Sequence, residues 1–173
     1  MAQVLLVVDM LKGFCEEGRP LYCGPGVTPI IPFIRKLIDG YNEREETVIF
    51  ICDSHEPDDL EFRMFPPHCV RGSEEAEVID ELRGAARNEV VIPKQRYSGF
   101  FGTNLNEILA GLKPDLVEVV GVYTNICVLY TVEELRNRDY PVRVRRRGVT
   151  SFDSGAHVFA LQQMEKVLGA EVK

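Results

Sequence analysis

Short apolar runs rich in β-branched residues alternate along the chain with longer amphipathic segments. Several of the short runs are hydrophobic at nearly every position, which is typical of parallel strands that are covered on both faces. The pattern predicts five strands and a sixth short one near Glu171. The five strands are predicted at residues 3–8, 47–52, 89–93, 116–122 and 142–146.

Apolar residues at three- and four-residue spacing indicate helices between these strands. The predicted helices are 30–41, 74–82, 105–112, 124–138 and 155–168. Because strands and helices alternate, the sequence predicts an α/β fold, a three-layer α/β/α sandwich around a mostly parallel six-stranded sheet. A chain of 173 residues suits one domain, 1–173. Residues 12–28 and 54–73 are predicted as long loops, and such loops tend to carry function.

The formal net charge of −7 argues against nucleic acid or an anionic membrane as a partner. Phosphate groups are bound mainly by clustered Lys and Arg, and this chain is acidic. The local exception is an arginine cluster, which we interpret as a solvated strand end rather than an anion site. The cluster consists of Arg143, Arg145, Arg146 and Arg147.

The five cysteines form no CxxC pair, and no apolar stretch reaches membrane-spanning length. A disulfide framework is therefore not expected, and a reducing cytoplasm suits the free thiols best. The sequence leaves the oligomeric state open, including a homo-oligomer.

Polar residues stand directly after several predicted strands, where open parallel sheets bind their ligands. Asp9 follows the first strand, Asp53 the second and Lys94 the third, and the segment that contains Cys127 follows the fourth. The carboxyl ends of parallel strands share one edge of the sheet. We therefore expect two carboxylates, an ammonium and a thiol to meet there.

Cys127 is predicted to lie about one turn inside a helix, where unpaired N–H groups and the helix dipole favour a thiolate. With Lys94 as a nearby cation and Asp9 as a base, it would be a nucleophile. Each residue alone has a plainer interpretation. Cys127 could be a small buried hydrophobe, Asp9 a turn cap and Lys94 a surface residue.

A second polar segment follows the second strand and contains two of the three histidines, His55 and His68. Imidazole and carboxylate groups together are typical of metal sites, and Asp53 and His55 stand at alternate positions that can point the same way. A polar loop without a metal is the alternative. His157 has no such partner nearby in sequence, and we interpret it as structural.

In these residues the chain resembles the isochorismatase-like cysteine hydrolase superfamily, and within it the nicotinamidase/pyrazinamidase group. The resemblance covers nearly the whole chain, and five motifs occur in the expected order. They are DMLKGF from Asp9, DSH from Asp53, FPPHCV around His68, KQRYSGF from Lys94 and GVYTNICV around Cys127.

The resemblance implies an Asp9, Lys94 and Cys127 triad that forms an acyl-enzyme. It also implies an oxyanion hole from the backbone N–H groups of Tyr123 and Cys127, with a cis peptide bond before Tyr123. A divalent metal, zinc with iron or manganese as alternatives, would be bound by four further residues. They are Asp53, His55, Glu61 and His68, of which Glu61 stands where many relatives have His.

The implied reaction is hydrolysis of a small aromatic carboxamide, most directly nicotinamide to nicotinate and ammonia in NAD salvage. The aromatic ring of the substrate would enter between four aromatic residues, namely Phe14, Phe65, Tyr97 and Phe100. Other candidates remain at this stage. One is a family amidase for a carbamoyl or ureido substrate, and another is a catalytically silent binding or redox protein. An isochorismatase proper lacks the nucleophilic thiol that Cys127 supplies.

Overall fold

Six strands form one sheet in a computed structural model, which describes residues 2–173. The order across the sheet is β3-β2-β1-β4-β5-β6, and each neighbouring pair is parallel. The predicted six-stranded α/β/α sandwich is therefore confirmed. The strands are β1 (Gln3–Val8), β2 (Thr47–Asp53), β3 (Glu89–Lys94), β4 (Leu116–Val122), β5 (Val142–Thr150) and β6 (Glu171–Val172).

Helices cover both faces of the sheet. They are α1 (Lys12–Cys15), α2 (Val27–Glu43), α3 (Leu105–Leu112), α4 (Leu129–Asn137) and α5 (Ser154–Lys166). Successive strand residues point to opposite faces, so Leu6 packs in the core beneath α3, α4 and α5 while Leu5 packs beneath α1 and α2. Within residues 2–173, none of the helices has both the length and the apolar character needed to cross a bilayer.

The prediction of a helix at 74–82 is wrong. Only Glu74–Ala76 forms a short 3₁₀ turn. The chain then runs beside the segment after β1, where Lys12 N–H donates to Glu77 and Ile79 N–H donates to Met10, at 2.9 and 3.1 Å. Ile79 and Leu82 are buried at helical spacing. The N–H of Ile79 nevertheless bonds across the loop, and that of Leu82 closes only a single turn by donating to Ile79 O. The predicted helix 124–138 begins as a π-helical turn, Thr124–Val128, before α4.

β1 and β4 approach each other closely at Gly121. Its φ is +118°, a conformation that favours glycine, and it pairs with Val8 at the end of β1. A Cβ atom on Gly121 would lie 2.0 Å from the carbonyl oxygen of Val8. The absent side chain therefore lets β4 deliver the segment after it next to the residue that follows β1.

We expect Gly121→Ala to lower the free energy of unfolding by about 3 kcal/mol or more, because the methyl group collides with backbone. Urea unfolding measures the effect. The matched control is Gly18→Ala, since Gly18 has a φ of +89° but no atom lies within 4 Å of the position that a Cβ would take. That variant should lose only about 1–2 kcal/mol, the strain of the left-handed backbone. Equal losses in the two variants would contradict the collision.

Candidate active site

Three residues that end or follow strands meet at the carboxyl edge of the sheet. Asp9 follows β1, Lys94 is the last residue of β3, and Cys127 lies in the π-helical turn after β4. Lys94 Nζ lies 2.9 Å from Asp9 Oδ2 and 3.6 Å from Cys127 Sγ. All three residues are at most 4% exposed. The structure thus brings together the residues that the sequence nominates as a triad.

Asp9 is held by its backbone as well as by its side chain. Its φ is +50°, in the left-handed region that few residues other than Gly, Asn and Asp adopt. Its N–H donates to Ile51 O at 2.8 Å, and its Oδ1 accepts from Asp53 N–H at 2.9 Å. The second oxygen, Oδ2, is thereby directed to Lys94.

The turn that carries Cys127 is fixed from two sides. Val128 N–H donates to Tyr123 O at 3.2 Å, which closes the π-helical turn. The side chain of His157 on α5 lies 2.8 Å from Thr124 Oγ1, in agreement with its structural interpretation. The peptide bond between Val122 and Tyr123 is cis, as the resemblance implies.

Burial sets the protonation of the three groups. It raises the pKa of the Cys127 thiol well above its usual value, and Lys94 only partly opposes this. Burial and the nearby Asp53 also raise the pKa of Asp9, to about 6. The direction for Cys127 opposes the thiolate that the sequence predicts, and an ionised Cys127 stays a prediction. Burial therefore favours the protonated thiol, and a pKa of about 6 lets Asp9 accept its proton near neutral pH.

Asp53 connects the triad to a second group of side chains. Its Oδ1 accepts a hydrogen bond from Lys94 Nζ. Its Oδ2 lies 3.6 Å from His55 Nε2 and 3.8 Å from His68 Nε2. Glu61 Oε1 lies 3.8 Å from the same nitrogen of His68. The donor atoms of Asp53, His55 and His68 therefore lie within 4.8 Å of one another, and Glu61 lies beside His68.

These residues fit a divalent cation. Donor atoms bound to one ion at about 2.1 Å lie roughly 3 to 4 Å apart. The pairs that join Asp53 to both histidines and Glu61 to His68 have this separation. His55 Nε2 and Glu61 Oε2 are buried and have no hydrogen-bond partner within residues 2–173. Buried polar atoms are almost always satisfied, so these two atoms indicate a missing partner. Imidazole and carboxylate donors suit zinc, iron or manganese.

Asp59 positions one of these donors and was missed from the sequence. Its Oδ2 lies 3.0 Å from His55 Nδ1, which leaves Nε2 of the same ring directed at Asp53 and His68. Arg96 binds Asp59 at 2.8 and 3.0 Å. Partial burial opposes ionisation of Asp59. Hydrogen bonds from Glu61 N–H, His55 and Arg96 nevertheless lower its pKa to about 2. The i,i+4 spacing from His55 was the only signal in the sequence.

A narrow pocket leads to Cys127 Sγ. Of the four predicted aromatic residues, Phe14, Phe65 and Tyr97 line it, while Phe100 does not. The prediction that Phe100 lines the pocket is wrong, because its ring packs in the core with the Arg138 guanidinium 4.3 Å from its centroid. Three further residues of the pocket wall were not predicted from the sequence, and they also line an adjoining cavity of about 280 Å³. They are Leu21, Tyr123 and Ile126.

The profile of the isochorismatase domain matches residues 3–172. The chain belongs to the isochorismatase family. Among solved structures, the nicotinamidase/pyrazinamidase PncA of Bacillus subtilis is 31% identical, with a TM-score of 0.93 and 99% of each chain covered. The N-carbamoylsarcosine amidase of Thermoplasma acidophilum is 33% identical, with a TM-score of 0.89 and 100% and 96% covered. Membership of this family implies an amide hydrolase.

A third solved structure bears on the metal. The pyrazinamidase of Pyrococcus horikoshii in complex with zinc is 29% identical to this chain and superposes with a TM-score of 0.90. The match covers 100% of this chain and 99% of the neighbour. A structural neighbour with this fold therefore holds zinc.

We expect Lys94→Met to lower the free energy of unfolding of the metal-free chain by about 3–5 kcal/mol at neutral pH. The substitution leaves two buried carboxylates, Asp9 and Asp53, without their shared cation. Denaturant unfolding measures the loss. Lys166→Met, on the exposed side of α5, is the control and should change stability by less than about 0.5 kcal/mol. A similar small effect for both would contradict the role of Lys94 as counter-ion.

We expect Asp59→Asn to weaken zinc binding by about 10- to 100-fold, because the neutral amide no longer orients and polarises His55. Competition calorimetry with a chelator gives the affinity. His55→Ala should weaken it further, and Glu61→Ala should weaken it less than His55→Ala. Asp58→Asn is the matched control, since Asp58 is exposed and one residue away. Equal affinities for Asp58→Asn and Asp59→Asn would contradict this arrangement.

Proposed function

We propose that this protein is a metal-assisted cysteine amidohydrolase that acts on a small planar carboxamide, with nicotinamide as the first candidate substrate. The observation that carries the proposal is the position of Lys94 Nζ, within 3.6 Å of both Asp9 and Cys127 in a buried site. A nucleophile, a base and a cation in contact are the requirements for acyl transfer through a thioester.

Cys127 Sγ attacks the amide carbonyl, and Asp9 accepts the thiol proton. Asp9 then delivers this proton to the leaving nitrogen, so that ammonia departs and a thioester remains. Water hydrolyses the thioester, which releases the carboxylic acid and restores the thiol. Lys94 keeps Asp9 beside the thiol and offsets negative charge during both steps. The raised pKa of Asp9, about 6, suits a group that both accepts and donates a proton near neutrality.

The backbone N–H groups of Tyr123 and Cys127 are assigned to the oxyanion. Both residues belong to the turn that follows β4, which the contacts of Val128 and Thr124 hold in place. Donors fixed before the reaction stabilise developing charge without reorganisation, and one such donor contributes about 3 kcal/mol.

A divalent metal would be held by Asp53, His55, Glu61 and His68. It would supply Lewis-acid polarisation beside the reacting carbonyl. The unpartnered atoms His55 Nε2 and Glu61 Oε2 and the zinc of the Pyrococcus horikoshii structure support this assignment.

The pocket favours a flat substrate. Phe14 and Tyr123 meet edge to face with their centroids 5.3 Å apart, and Phe65 and Tyr97 add two further aromatic walls. Such walls suit a heteroaromatic ring attached to the reacting carboxamide. Hydrolysis of nicotinamide would place the protein in NAD salvage.

A second candidate substrate is a carbamoyl or ureido compound. The adjoining cavity of about 280 Å³ favours it, since a longer acyl chain could extend there past Leu21 and Ile126. The likeness to the N-carbamoylsarcosine amidase of Thermoplasma acidophilum points the same way. This candidate uses the same triad.

We expect the purified, zinc-loaded protein to release ammonia from nicotinamide or pyrazinamide, and Cys127→Ala to reduce the rate at least 10³-fold. An ammonia assay over a panel that includes carbamoyl and ureido compounds measures both. Cys15→Ala is the control, because Cys15 is buried but lies outside the pocket, and this variant should keep its activity. A panel without any turnover would favour a silent binding protein, and full activity of Cys127→Ala would refute the covalent route.

A further inference from the structure

A cavity of about 780 Å³ lies on the α2 side of the sheet, away from the triad. Its sheet residues stop short of the carboxyl ends of their strands, and Arg147 lies three residues before the end of β5. Asp9, Lys94 and Cys127, by contrast, stand at or beyond strand ends. This volume is within the range of small-molecule sites. The residues that matter for its chemistry are Phe33, Lys36, Tyr41, Arg143, Arg145 and Arg147.

Two of these arginines are held in place by one buried carboxylate. Arg143 Nη1 and Arg145 Nη2 each lie 3.0 Å from Glu118 Oε1, and Glu118 is 2% exposed. Arg143 also pairs with Glu171 beside it. Since one glutamate lies between two guanidinium groups, both are oriented before any ligand arrives.

The cavity carries more positive than negative charge. Lys36 and Arg147 line it, are exposed, and have no carboxylate within ion-pair distance in the part of the chain that the structure describes. The chain as a whole has a formal net charge of −7, so this local excess is opposite in sign to the rest of the protein. An anion would be attracted to this place in particular.

Two buried polar groups at the cavity lack partners. Arg145 Nε and Tyr41 Oη have no hydrogen-bond partner within residues 2–173, and Tyr41 is 1% exposed. An unsatisfied buried group costs about 1–3 kcal/mol. Both groups carry a hydrogen to donate, but Tyr41 faces the Glu118 carboxylate, so Arg145 Nε is the donor that an oxygen-rich ligand would satisfy. His55 Nε2 gives the same signal at the metal cluster.

An aromatic wall lies beside the cations. The guanidinium of Arg147 lies 5.2 Å from the centroid of the Phe33 ring. Phe33 packs over Gly148, where a Cβ atom would come within 3.1 Å of the ring. The cavity thus combines a flat apolar surface with cationic donors, and it is too large for a lone inorganic anion to fill.

We propose that this cavity is a second ligand site, for a small organic phosphate that carries a planar ring, of the mononucleotide class. The ring lies against Phe33, and the phosphate takes hydrogen bonds from Arg145, Arg147 and Lys36, with the planar guanidinium groups matching its oxygens. This revises the interpretation of the arginine cluster as a solvated strand end. Arg146, its fourth member, does not line the cavity.

Isothermal titration calorimetry with AMP on the metal-loaded protein tests the site. We expect saturable binding of one AMP per chain, and a dissociation constant at least tenfold higher in the double variant Lys36→Ser, Arg147→Ser. The control double variant, Arg87→Ser with Lys166→Ser, makes the same charge change at exposed positions outside the cavity and should bind within twofold of the parent. Thermal melting checks that both double variants are folded.

Adenosine and inorganic phosphate, titrated separately, should each bind at least tenfold more weakly than AMP, because each lacks one half of the recognised chemistry. The proposal is overturned if AMP shows no saturable binding, or if the two double variants lose affinity equally. It is also overturned if adenosine or phosphate alone binds as tightly as AMP. Binding that is lost in His55→Ala and kept in Lys36→Ser, Arg147→Ser would place AMP at the metal cluster instead.

Discussion

The buried ammonium of Lys94 is the interaction on which the rest of the site depends. Two carboxylates, Asp9 and Asp53, are withdrawn from water at the edge of the sheet, and Lys94 contacts both. Without a cation they would repel each other in a region of low dielectric. The strand order β3-β2-β1 supplies the geometry, since Asp53 and Lys94 are direct neighbours in register and Asp9 follows the adjacent strand. The order of the strands therefore places the three charged side chains in contact.

Asp53 makes the two halves of the site interdependent. One oxygen accepts from Lys94 and the other lies at the convergence of His55 and His68. A change in charge at His55, Glu61 or His68 therefore alters the field at Lys94, and Asp53 also acts directly on Asp9. Asp53 thus connects the Asp9, Lys94 and Cys127 group to the two histidines.

The sequence was sufficient to predict residues whose positions are set by the ends of parallel strands. It was not sufficient where contacts between loops set the position of a residue or the path of the backbone. Asp9, Lys94 and Cys127 could be found because each follows an apolar strand, and strand ends share one edge. The helix at 74–82 was wrong because its backbone bonds to residues after β1, which no local pattern reveals. Phe100 is aromatic and near Lys94 in sequence, yet it turns into the core. Asp59 acts on a ring four residues away through a loop conformation that spacing alone does not fix.

The left-handed backbone of Asp9 restricts how this protein can change over time. At φ +50° the backbone favours Gly, Asn and Asp, and of these only aspartate carries a carboxylate. Glutamate, which adopts this backbone elsewhere in the chain at Glu45, would keep the acid but place it one methylene group further from the backbone, while asparagine and glycine would keep the conformation and lose the acid. A lineage that abandons the chemistry can therefore drift to asparagine or glycine without disturbing the chain path. With Asp9 as the proposed base, only a residue that keeps both the acid and its reach preserves activity.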